Sequence, residues 1–85
     1  MNFVMFRNYE GHSRSGYGSQ SDCYDYVGFE DGQLLFKRRE DSHTLRATKD
    51  QFINGLDETY LHEYHRYQLA ANHDREEVVN FVKSL

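Results

Sequence analysis

The sequence predicts an α+β protein: a three- to four-stranded antiparallel sheet followed by two to three helices packed on one of its faces. Three observations predict it. Apolar and polar residues alternate along the first half of the chain, Asp31-Gly32 interrupts that alternation, and from Thr48 onward the apolar spacing becomes helical. Strands first and helices afterwards is the order of a sheet with helices on one side.

Residues 2–9, NFVMFRNY, read as the first strand, with apolar residues on both faces as in a strand covered on both sides. Residues 10–21 follow as a flexible loop. Gly11, Gly16 and Gly18 stand there among four serines, a composition that resists regular structure. Strands are predicted over 22–29 and 33–40, because Asp31-Gly32 between two strand-like runs is a hairpin signal. A two-residue loop sets an expected register: Phe29 faces Leu34, Val27 faces Phe36, Tyr26 faces Lys37, Asp25 faces Arg38 and Tyr24 faces Arg39. One face then carries Cys23, Val27, Phe29, Leu34 and Phe36, with the Asp25–Arg38 pair at its end. The other carries Tyr24, Tyr26, Leu35, Lys37 and Arg39. A further strand over 43–48 follows a turn at Asp41-Ser42, placing Leu45 and Ala47 on the apolar face and Arg46 beside Lys37 and Arg39.

Thr48 and Gln51 have the spacing of a capping box, so a helix is predicted over 49–55, stopped by Gly55. Asp57 caps a second predicted helix, 57–72, with a stripe of Tyr60, Leu61, Tyr64, Tyr67 and Ala71. Asp74 and Glu77 repeat the capping pattern before a helix over 74–84. The expected core is Val27, Phe29, Leu34, Phe36, Leu45, Phe52, Ile53, Leu56, Val78, Val79 and Val82.

Eighty-five residues make one small domain over 1–85. A chain of this size buries about 60–65% of its unfolded surface, which leaves little room for a deep catalytic pocket. Its 14 acidic residues against 10 Lys and Arg argue against non-specific attraction to nucleic acid. The single cysteine permits no internal disulfide, and a reducing, cytoplasmic setting is the reading that follows. No apolar run reaches the length of a membrane span, and the start lacks the pattern of a signal peptide.

No constellation for catalysis emerges. His62 and His65 lie three apart, but Arg66 stands where HExxH requires a second histidine, and His73 lies about three turns beyond His62, so the reading is a solvated helix face rather than a metal site. Cys23 has no base placed beside it and falls on the buried face. No Glu-x-Lys or Asp-x-Lys tripeptide occurs, and Gly16-Tyr17-Gly18 lacks the Lys-Ser or Lys-Thr of a phosphate loop. The chain is read as a non-enzyme without cofactor or metal.

Three surfaces are candidates for binding. The first is the sheet face of Tyr24, Tyr26, Lys37, Arg39 and Arg46, where aromatics beside cations suit the stacking of bases. Arg14 and Tyr17 of the loop belong with it, because the loop enters the second strand next to Tyr24. The helix stripe of Tyr60, Tyr64 and Tyr67 is the third, since tyrosine offers large, rigid area with a polar tip. The leading expectation is a protein-binding module, an inhibitor or adaptor of a larger complex. Small, acidic, cysteine-poor chains recur among phage and mobile-element accessory proteins, an association of size and not of motif. Single-stranded nucleic-acid binding through the Tyr-basic face is the alternative, and a metal-dependent enzyme the third.

Overall fold

In a computed structural model of the chain, which describes residues 1–8, 21–57 and 66–85, the first half folds into strands as its alternation requires. The elements run β1 (Val4–Asn8), β2 (Ser21–Glu30), β3 (Gln33–Arg38), β4 (Thr44–Thr48), α1 (Lys49–Gly55), β5 (Arg66–Leu69) and α2 (Arg75–Ser84). The strands form one antiparallel sheet of five, ordered β4-β3-β2-β1-β5. The α+β class holds. Among the described residues the strand count is corrected from three or four to five, and there are two helices, with a strand between them.

That fifth strand overturns the C-terminal part of the helix expected over 57–72. Tyr67 and Leu69 share a face at a spacing of two, and β1 would otherwise leave the backbone groups of Met5–Asn8 unpaired on that side. The β1–β5 ladder satisfies them, pairing Met5 with Leu69 and Arg7 with Tyr67. Residues 58–65 of that expected helix, with Tyr60, Tyr64, His62 and His65, lie outside the described residues, as do Arg14, Tyr17 and the expected loop except Ser21, the first residue of β2.

β5 stops short of Val4. The Ala70 N–H donates to the Val4 carbonyl at 3.1 Å, and the chain then turns. The Val4 N–H, which has no strand beside it there, donates to Nε2 of His73 at 3.0 Å. An imidazole thus stands in for the next strand residue. His73 is half-buried and meets Phe3 edge-on, which corrects its reading as part of a solvated helix face.

The hairpin begins as expected. Asp31 and Gly32 take φ of 53° and 75°, the two positive values that a type I′ turn requires. Glu30 pairs with Gln33 and Phe29 with Leu34, and next Gly28 pairs with Leu35. Tyr26 then pairs with Phe36, so Val27 is an extra residue in a β-bulge. Because side chains alternate with period two, one inserted residue sends everything beyond it to the opposite face. Tyr24 now pairs with Arg38 and Asp25 with Lys37.

The bulge decides the core. Tyr24 is fully buried and Tyr26 packs against the core, where it stacks on Phe3 with centroids 4.9 Å apart. Val27, expected inside, is 55% exposed. Without the bulge, the Asp25 carboxylate would face the apolar side, where an unpaired charge is costly. With it, two aromatic rings take that side and the carboxylate turns to water.

Both helices lie on this inner face. Phe52 of α1 meets Phe3, Phe36 and Tyr67 at 5.4–5.7 Å between ring centroids. From α2, Phe81 meets Tyr26 edge-on at 5.7 Å, while Val78, Val79 and Val82 are buried. Phe3, Met5, Tyr24, Ala47 and Tyr67 complete the core beside the expected Leu34, Phe36, Phe52 and Leu56. Phe29, Leu45 and Ile53 are partly buried against it.

The caps follow the sequence closely. Thr48 and Gln51 form the reciprocal capping box of α1. Asp74 caps α2, its Oδ1 accepting from the N–H groups of Glu76 and Glu77 at 2.9 and 3.4 Å. Lys49 Nζ donates to the Leu85 carbonyl, joining the start of α1 to the end of α2.

Candidate functional site: the outer sheet face

With α1 and α2 on the inner face, no described element lies over the outer one. Register and alternation place Val4 and Phe6 of β1, Cys23 and Asp25 of β2, Gln33, Leu35 and Lys37 of β3, Thr44 and Arg46 of β4, and Gln68 of β5 on it. None of its apolar members belongs to the core cluster. Val4, Phe6, Cys23 and Leu35 are half-buried, and exposed Val27 projects from the bulge. Cys23 was expected on the buried side; the bulge carries it here.

The face has two halves. Val4, Phe6 and Cys23 make an apolar strip along β1 and β2. Lys37, Arg39 and Arg46 lie along β3 and β4 and are exposed. Leu35 and the bulge lie at the boundary. Gly28 sits at that boundary opposite Leu35, and a Cβ built on it meets no atom within 4 Å. It is bare backbone facing open space.

Two Arg–Asp pairs frame the site. Asp25 accepts from Arg39 Nε at 3.0 Å and Nη2 at 2.9 Å, replacing the expected Asp25–Arg38 pair. Arg38, whose position opposite Tyr24 aims it the other way, holds Asp41 at 2.9 and 2.7 Å. The Arg39 hydrogen bond holds the Asp25 carboxyl below the usual range, and Asp25 in turn raises Arg39. Asp41 is held well below its ordinary value by the Arg38 hydrogen bond and by the His43 N–H. Burial pushes the Tyr26 phenol up. Lys37 and Arg46 carry no ion pair among the described residues.

The structure therefore brings Lys37, Arg39 and Arg46 together as expected but separates them from Tyr24 and Tyr26, which point through the sheet to its other side. Tyr67 is 5% exposed on β5, so it offers no free helix surface. Val4, Phe6, Val27 and Gly28 were not singled out from the sequence. The available signal was Gly28 itself, since a glycine inside a strand marks a bulge or a close backbone approach.

Elsewhere, a cleft of about 570 Å³ lies between the end of α1 and β5, lined by Leu56, Asp57, Tyr67, Leu69, His73 and Arg75 among others. A second, of about 420 Å³, lies beside the Asp25–Arg39 pair and His73. Among the described residues, no three His, Cys, Asp or Glu side chains gather closely enough to hold a metal ion, and no helix is long and apolar enough to cross a membrane. The chain matches no protein-family model, no curated protein and no solved structure.

Proposed function

We propose that this chain is a small protein-binding module, an inhibitor or adaptor of a larger assembly, and that it docks its partner on the outer sheet face. One observation carries the reading: both described helices cover the same side of the sheet, and the other side, which no described element covers, carries half-buried Val4, Phe6, Cys23 and Leu35 and exposed Val27 beside exposed cations. Apolar residues in a patch rimmed by polar ones are the usual mark of an interaction surface. Binding of single strands by base stacking loses its support, because Tyr24 and Tyr26 face the core.

The test is partner capture by wild type and by Gly28→Gln and Leu35→Glu, with Glu76→Lys on α2 as the control. The two outer-face variants should lose the captured protein while keeping the wild-type melting temperature, and the control should retain it. Equal capture by all of them refutes the outer face as the docking surface.

A further inference from the structure

Resting on that reading, we infer that the partner presents carboxylates to the β3–β4 half of the outer face, on an acidic segment whose apolar side chains lie over Gly28 and Leu35. Charge is the first support. In the chain as a whole, acidic residues outnumber Lys and Arg by 14 to 10. On the described outer face the balance reverses: Lys37, Arg39 and Arg46 stand against Asp25 and Glu30. Asp25 is already held at both oxygens by Arg39. Lys37 lies across the ladder from that same Asp25, Arg46 lies opposite Leu35 on the next strand, and among the described residues neither cation has an ion pair. A protein with carboxylates to spare leaves these two cations without an ion pair among the described residues, on a face that no described element covers, and that asymmetry selects for a negative partner.

Shape is the second support. The open ground over Gly28 lies between the apolar strip and the cations, with Leu35 opposite it and exposed Val27 next to it. A partner backbone or side chain can approach the sheet there more closely than anywhere a Cβ intervenes. An acidic segment with interspersed Leu or Phe meets both halves at once. A nucleic acid meets the cations but finds no aromatic ring of β2 beside them to stack a base, the outward ring of Phe6 lying on β1 in the apolar strip.

The experiment titrates isotope-labelled full-length protein with three short peptides and follows amide shifts. In the first, Asp or Glu alternates with Leu or Phe; in the others, Gln or Lys replaces the acids. Oligothymidine is the fourth probe. The acidic peptide should shift Gly28, Leu35, Lys37 and Arg46, weaken at least about tenfold with Lys37→Glu/Arg46→Glu, and weaken steeply with salt. Gly28→Gln should block it and keep its fold, because a Cβ at this position meets no atom within 4 Å. If the charge reversal unfolds the protein, Lys37→Ala/Arg46→Ala serves in its place. Equal binding of the Gln peptide at the same residues overturns the acidic partner but leaves the docking face intact. Shifts confined to other residues overturn both. Tighter binding of oligothymidine at this face, or no binding by any peptide, overturns the inference.

Discussion

Tyr24→Phe should stabilise this protein. The side chain is fully buried, and its hydroxyl has no hydrogen-bond partner among the described residues. A buried hydroxyl left unsatisfied costs about 1–3 kcal/mol, and phenylalanine removes it while keeping the ring in place. In a domain of this size each kcal/mol moves the melting temperature by about 4–8 °C, so Tyr24→Phe should melt at least about 4 °C higher. Tyr24→Ala sets the opposite bound: emptying a ring-sized space opposite Met5 should cost about 3–5 kcal/mol. Thermal and urea unfolding followed by circular dichroism measure both. A loss of about 1 kcal/mol or more in Tyr24→Phe means that the hydroxyl is bonded and the reasoning wrong. A harmless Tyr24→Ala goes further, because it restores the unbulged register in which this tyrosine faces solvent.

Gly32→Val should cost more than about 1 kcal/mol in urea unfolding, since a β-branched residue is strained at the observed φ of 75°. His73→Ala leaves the Val4 N–H without its acceptor and should cost about 1–3 kcal/mol, while the amide oxygen of His73→Gln should recover part of it. The folded Asp25 carboxyl lies below its ordinary value of 3.8. Its contribution is therefore present above that value and lost as the pH falls below it. Urea midpoints taken between about pH 3 and 7 should fall less steeply at the acid end for Asp25→Asn than for wild type; superimposable slopes would mean that the Arg39 pair does not form in solution.

Where the determinants were local, the sequence was readable. The type I′ turn needs only Asp31 and Gly32, and the α1 cap only Thr48 and Gln51, so both appear where expected. Arg46 joined Lys37 because β4 follows β3 through a short turn without irregularity. The candidate face was misread at one residue. Alternation was carried straight through Gly28, whereas the strand inserts Val27 there, and that shift exchanged Tyr24 and Tyr26 for Cys23 and Asp25. A warning was present, because the unbulged register set Asp25 among apolar residues. β5 was hidden for a different reason. Four residues, Arg66–Leu69, fit a helical stripe as well as a strand, and the choice is made by the open edge of β1, far away in the chain.

That pairing has a consequence for how the molecule is made. Of the five strands of this sheet β1 leaves the ribosome before the others, yet one of its two ladders joins Met5 to Leu69. While β2, β3 and β4 close on one another through near neighbours in sequence, β1 must wait for β5 to be synthesised, and its last donor for His73. Contacts this distant set the pace of folding, and an edge left open in the meantime is a template for pairing with other nascent chains. Of these five strands, the earliest made is the last to be completed.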